Sequence, residues 1–250
     1  MEALKLVPAF KDYIWGGVRL KNEYGKKCDL EKVAESWELS CHKDGNSVIA
    51  NGEFAGLSLN EYIKRCGKDV LGEDCLKFDD FPILIKLIDA KDNLSVQVHP
   101  DNDYAMKNEG QFGKTEMWYV VDCDEGSGLL YGFKEKISKD EFKRRIDDGT
   151  LLDVVNRVNV KKGDVFFISS GTLHAIGKGI LIAEIQQNSN VTYRIYDYGR
   201  LGNDGRPREL HIDKAVDVTR LEPARAYPET EPEKYGDCVK KLLASCDYFT

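Results

Sequence analysis

The sequence predicts a mainly β protein, an antiparallel barrel or jelly roll with a few short helices. Two observations carry this. Short runs rich in β-branched and aromatic residues recur along the 250-residue chain, and Gly, Asp, Asn and Ser punctuate most of the gaps between them. The few helical stretches are brief and announce themselves by N-terminal capping residues rather than by long apolar periodicity.

The β-rich runs, in order, are "WELSCH", "FPILIKLIDA", "LSVQVH", "EMWYVV", "GLLYGF", "GDVFFIS", "GILIAEIQQ" and "VTYRIYDY". Ser58 with Glu61 forms a capping box ahead of "EYIKRC". Asp101 caps a short helix running through Tyr104 and Met106. Ser138 with Glu141 opens "FKRRIDDGTLLDVV", where Phe142, Ile146 and Val155 are expected along one helix side. Residues 239–246 read as an amphipathic stretch, and Tyr248, Phe249 and Thr250 as the start of another strand, so a truncated C-terminal β region is expected. Residues 1–220 are then a catalytic, metal-binding domain with helical insertions, and residues 221–250 a linker leading into that second region.

Bulk properties narrow the function. A net charge of −7 argues against general nucleic-acid binding, and means that an anionic ligand needs a local basic cluster. No apolar run approaches the ~20 residues of a membrane helix. Lys5, Lys11 and Asp12 interrupt the N-terminal apolar character, so it lacks a signal-peptide core. Seven scattered cysteines without a CxxC pair point to reduced thiols and a cytoplasmic location.

The chemistry gathers on polar residues in apolar runs. In "LSVQVHPD", Leu94, Val96 and Val98 share one strand face, and Ser95, Gln97 and His99 the other. Glu116 stands where a loop enters a strand in "GKTEMWYV". In "GDVFFISSGTLHAIGKG", Gly171 makes a turn and His174 follows three residues later. That strand–turn–His order resembles the second half of the cupin motif, except that Ser169 stands where proline is usual. Two imidazoles, one carboxylate and the Gln97 amide oxygen make an open catalytic metal site. His42 and His211 carry no such context and read as ordinary hydrogen-bonded histidines.

The blocks "FPILIKLIDAKDNLSVQVHPDNDYA", "GKTEMWYVV", "GDVFFISSGTLHAIGKGILIAEIQQ" and "TYRIYDYGR", with "AESWELS" and "RELH", together resemble type I phosphomannose isomerase in its short bacterial form. The likeness spans most of residues 8–220 in the same order. It implies a cupin-type jelly roll, one bound zinc ion, and interconversion of mannose 6-phosphate and fructose 6-phosphate through an enediol-like intermediate. By the resemblance the metal ligands fall on Gln97, His99, Glu116 and His174, and the active-site arginine on Arg194. Asn190 stands where aspartate is common in the family, which keeps hydrogen bonding but loses a charge.

The remaining roles follow from chemistry. Glu184 shares a strand face with Ile180 and Ile182, so burial is expected to raise its pKa and suit it to act as general base. A metal-bound water and Lys114, two residues before Glu116, are alternatives for that role. Ser95 and Lys86 are expected to contact the phosphate of a sugar-phosphate substrate. Two other readings share these residues: a non-catalytic, metal-stabilised sugar-phosphate-binding cupin, and a two-His-one-carboxylate iron oxygenase.

Overall fold

The computed structural model describes residues 3–78, 80–202 and 204–250. Two antiparallel sheets face each other. The larger has six strands in the order Val165–Ile168, Glu116–Cys123, Ile180–Gln187, Ile83–Ala90, Glu35–Leu39 and Ala9–Lys11. The smaller has five: Val155–Asn159, Gly128–Phe133, His174–Ala175, Val96–Val98 and Tyr193–Tyr196. Among the described residues five short α-helices decorate them, and none is long and apolar enough to cross a membrane. The expected class, mainly β with few helices, is the one the chain adopts.

Alternation within each strand builds three layers. Ile88, Trp118, Val120, Ile180 and Ile182 of the large sheet meet Leu129 and Tyr131 of the small one, forming the core between the sheets. Val96, Val98, Tyr193 and Ile195 point the other way, into a second core with Phe142 and Val216 from two helices. The outer face of the large sheet is covered by the C-terminal segment, where Ala244 and Phe249 pack on Met117.

The interior between the sheets changes character along the strands. In Ile180–Gln187 the inward residues run Ile180, Ile182, Glu184 and Gln186, all buried. In Ile83–Ala90 they run Leu84, Lys86, Ile88 and Ala90, also buried. One end of the sandwich is therefore hydrocarbon and the other is packed with charge. Burying ionised groups is costly unless they are paired, so this polar end requires an explanation beyond folding.

Local signals hold where they are covalently close. Ser58 accepts from Glu61 N (3.2 Å) while the Glu61 carboxylate accepts from Ser58 N (2.8 Å), completing the capping box. Asp101 accepts from Tyr104 N (2.9 Å) and caps Asn102–Glu109. The stretch after Ser138 differs from expectation. Its helix stops at Asp147, Gly149 turns the chain at φ +69°, and Val155 begins a strand. Phe142, Ile146 and Val155 still meet in one core, brought together by the turn rather than by helical periodicity. At the C-terminus, residues 239–246 are not helical and 248–250 form no strand. A hairpin of Glu233–Tyr235 and Cys238–Lys240 comes first, and the rest lies irregularly on the large sheet.

All seven cysteines are free thiols. Thiol titration of the denatured, unreduced protein is expected to find all seven reactive; a majority blocked would contradict this reading.

Candidate metal centre and active site

Cross-strand register assembles the site. On the large sheet, Trp37 pairs with Lys86, Lys86 with Glu184, and Glu184 with Trp118, so four inward side chains form one row. On the small sheet, His174 pairs with Gln97 and Gln97 with Arg194. These two rows face each other across the polar end.

The glycine turn predicted before His174 is present. Gly171 has φ +82°, and a Cβ there would meet the Val218 carbonyl oxygen at 2.9 Å, so glycine is required twice over. Ser169 lies two residues before that glycine. Its carbonyl accepts from Thr172 N (3.1 Å), and its hydroxyl accepts from Arg220 (3.1 Å).

His99, Glu116 and His174 are fully buried, and their ligand atoms lie within 4.8 Å of one another. Both imidazoles are oriented alike. Nδ1 of His99 donates to the Val191 carbonyl (2.8 Å), and Nδ1 of His174 to the Thr172 carbonyl (2.8 Å). A carbonyl can only accept, so the proton sits on Nδ1 and each Nε2 presents a lone pair. Burial, reinforced by Lys114, holds His99 well below its usual value, and burial pushes His174 down to about 4, so both rings are neutral. Glu116 Oε1 lies 3.5 Å from His174 Nε2 and 3.8 Å from His99 Nε2.

These atoms fit a divalent cation. His99 Nε2 and Glu116 Oε1 are buried without a hydrogen-bond partner among the described residues, an arrangement costly in isolation. Charge gives the same answer. Lys86 and Lys114 are buried against three buried carboxylates, Glu35, Glu116 and Glu184, an excess of one negative charge. A dication would reverse that excess. Burial and the neighbouring charge of Glu184 raise Glu116 in the absence of a cation, and a bound cation would favour its ionised form. The half-buried Gln97 amide nitrogen lies 3.3 Å from His174 Nε2, and rotating the amide by half a turn would present Oε1 there instead.

Glu184 departs from expectation. Burial pushes its pKa up, but Lys114, Lys86 and the Trp118 indole N–H (2.9 Å to Oε2) together outweigh burial and hold the carboxyl below its ordinary value. Its Oε1 lies 3.3 Å from Lys86 Nζ and 3.6 Å from Lys114 Nζ. Lys86 is buried as well. Its ammonium sits between Glu184 and Glu35 (3.5 Å), over the Trp37 ring at 4.9 Å. Lys114 shares the centre with Glu116, 2.9 Å from Oε2.

A cavity of about 250 Å³ opens onto this group. Its floor includes the buried Glu35, Lys86, Lys114 and Glu184, and its half-buried wall includes Gln97, Asn190, Arg194 and Arg208, with Ser95 between. A larger cavity, about 700 Å³, lies by Gly126, Arg157 and Tyr198 and is lined by no histidine. All the predicted site residues thus converge: Gln97, His99, Glu116 and His174 in the centre, Glu184, Lys114, Lys86, Ser95 and Arg194 around the cavity. His42 and His211 stay apart, the first beside Asp44 (3.5 Å), the second accepting from Arg194 N (3.2 Å). Asn190 donates to Asp44 (3.1 Å), so a carboxylate stands beside the position that lost one. Sequence reasoning missed Glu35, Asp197 and Arg208. Glu35 had a signal, an acid two residues before Trp37 in a strand; Asp197 and Arg208 acquire meaning only from each other.

Fold and site together define a mainly β enzyme with a buried two-histidine, one-carboxylate group suited to a metal ion. The model of the type I phosphomannose isomerase catalytic domain matches residues 3–126. A probable mannose-6-phosphate isomerase of Bacillus subtilis is 41% identical over 99% of this chain and 78% of its own length. A mannose-6-phosphate isomerase of Streptococcus mutans is 45% identical over 91% of this chain and 71% of its own. The crystal structure of a Bacillus subtilis mannose 6-phosphate isomerase superposes with a TM-score of 0.93 at 39% identity, covering 99% of this chain and 78% of that one. The chain belongs to the type I phosphomannose isomerase family.

Proposed function

We propose that the chain interconverts mannose 6-phosphate and fructose 6-phosphate with zinc held by His99, Glu116, His174 and the Gln97 amide oxygen, residues 1–220 carrying the whole site. The observation that carries this reading is the buried group of His99, Glu116 and His174 beside a cavity whose lining joins Gln97, Lys114 and Glu184 to the guanidinium groups of Arg194 and Arg208. Neutral nitrogen donors with one carboxylate suit zinc. Zinc there would supply Lewis-acid polarisation of the carbonyl oxygen and its neighbour.

The protein's own groups do the rest. Glu184, kept ionised by its two lysines, is always a proton acceptor; it takes the proton from C2 of the open-chain aldose and returns it to C1. Lys114 donates a proton to the oxygen on C1 as the enediol forms, and recovers one from the oxygen on C2 as the ketone forms. Arg194, directly across the ladder from Gln97, stabilises negative charge on those oxygens. Trp118 holds Glu184 in place through its indole N–H.

The test is a coupled assay of mannose 6-phosphate turnover by zinc-loaded and chelator-treated protein. Turnover that chelation abolishes and zinc restores is expected. Tight sugar-phosphate binding without turnover by the zinc-loaded chain would instead make it a binding protein.

A further inference from the structure

We propose that Arg208, held by the buried carboxylate of Asp197, is the residue that recognises the phosphate of the substrate, with Ser95 beside it. The proposal rests on the sugar-phosphate reading above and assigns that reading's anionic end.

Charge balance is the first argument. Three guanidinium groups, Arg194, Arg200 and Arg208, surround one buried carboxylate, Asp197. The other acid nearby, Glu209, is 82% exposed at its side chain and lies 3.8 Å from His211. The cluster thus carries about two uncompensated positive charges in a protein of net charge −7. A phosphomonoester carries about −1.5 to −2 at neutral pH. The lysines at the other end have no such surplus. Lys86 is shared between Glu35 and Glu184, and Lys114 between Glu116 and Glu184. Drawing either onto a phosphate would strand a buried carboxylate. The phosphate contact expected of Lys86 therefore passes to Arg208.

Geometry is the second argument. Asp197 grips Arg208 with both oxygens, Nε to Oδ2 at 2.7 Å and Nη2 to Oδ1 at 2.6 Å. That fork fixes the guanidinium plane and leaves Nη1 for a ligand. Arg200 is committed elsewhere. It donates to Asp197 (2.5 Å) and the Asn93 carbonyl (2.5 Å), lies over the Tyr198 ring at 5.2 Å, and is not part of the cavity wall. Arg208 does line the cavity, as do Ser95 and Arg194. Ser95 adjoins Val96, whose ladder partner is Tyr196, next to Asp197, whereas Arg194 faces Gln97. The small sheet thus sets Arg194 toward the metal and Ser95 with Arg208 toward the phosphate.

The experiment compares zinc-loaded wild type, Arg208→Gln and Asp197→Asn, measuring kcat and KM for mannose 6-phosphate and competitive inhibition by inorganic phosphate. Losing a charge-assisted pair to the anion is expected to raise KM and the phosphate inhibition constant together, by about tenfold to a hundredfold in Arg208→Gln, while kcat moves far less. Asp197→Asn should shift both constants in the same direction by a smaller factor. Unchanged constants in a folded Arg208→Gln protein would overturn the proposal, as would a fall in kcat at constant KM. Should Arg208→Gln fail to fold, Arg208→Lys decides in the same way, since it keeps the charge but cannot form the fork. Should the wild type not isomerise mannose 6-phosphate, the functional reading fails separately, and calorimetric binding of inorganic phosphate to wild type and variant still decides the role of Arg208.

Discussion

Replacing His174 with alanine is expected to remove the bound divalent metal and take mannose 6-phosphate turnover to background. His174 lies 3.5 Å from Glu116 and has its Nε2 freed by the Nδ1 bond to the Thr172 carbonyl. Changing only an outer partner of a metal ligand typically costs about 10–100-fold in metal affinity, and losing the ligand itself should cost more. It also leaves the buried Glu116 and His99 facing each other with no cation between them, so the variant should melt earlier than the zinc-loaded wild type. Elemental analysis after dialysis checks the metal, and a coupled assay checks turnover. A variant that keeps about one ion per chain and normal kcat would remove His174 from the centre. His42→Ala, outside the group of His99, Glu116 and His174 and beside Asp44, should leave metal content intact.

The second large effect concerns Arg194. Its Nε is buried with no hydrogen-bond partner among the described residues, while Nη1 donates to the Glu209 carbonyl at 2.9 Å. A half-buried guanidinium with an unpaired donor on a cavity wall is preorganised for charge that appears during reaction. Losing one such donor costs on the order of 10²–10³ in turnover. Arg194→Ala should lower kcat by that factor while leaving metal content and fold nearly intact. Arg220 is the comparison. It is exposed, and its bond to Ser169 is a surface one, so Arg220→Ala should cost within about 0.5 kcal/mol of stability and little activity. Near-normal kcat in Arg194→Ala would leave the metal centre standing without this residue. The split from Arg208 is sharp: Arg194 should move kcat, and Arg208 should move KM.

Much of this protein was readable from short stretches of chain. Alternation in "LSVQVH" put Gln97 on the polar face, and the structure keeps it there between Val96 and Val98, although the regular strand is only those three residues. Capping by Ser58, Asp101 and Ser138 depends on backbone groups three residues away. The turn at Gly171 depends on one φ angle. All of these are local, and local geometry is written in adjacent residues. Whether Asp-Asp-Gly after Phe142 ends a helix or only bends it is a choice between near-equal local energies, and packing of Val155 in a strand decided it.

What the sequence by itself determined is the mainly β fold class and the choice of His99, Glu116 and His174 as polar residues that the fold buries together, because strand alternation and the glycine turn are local. Only the tertiary structure decided the charge states and the division of labour. Glu184 looked like a carboxyl raised by burial among isoleucines, yet Lys86 from the next strand and Lys114 from a loop reverse the sign. Arg208, within "RELH", has no role in the sequence reading and acquires one only because Asp197, eleven residues earlier, closes on it. The physical reason is one and the same: a buried charge is set by the balance between lost hydration and the few partners within about 4 Å, and those partners come from segments that meet only when the two sheets close.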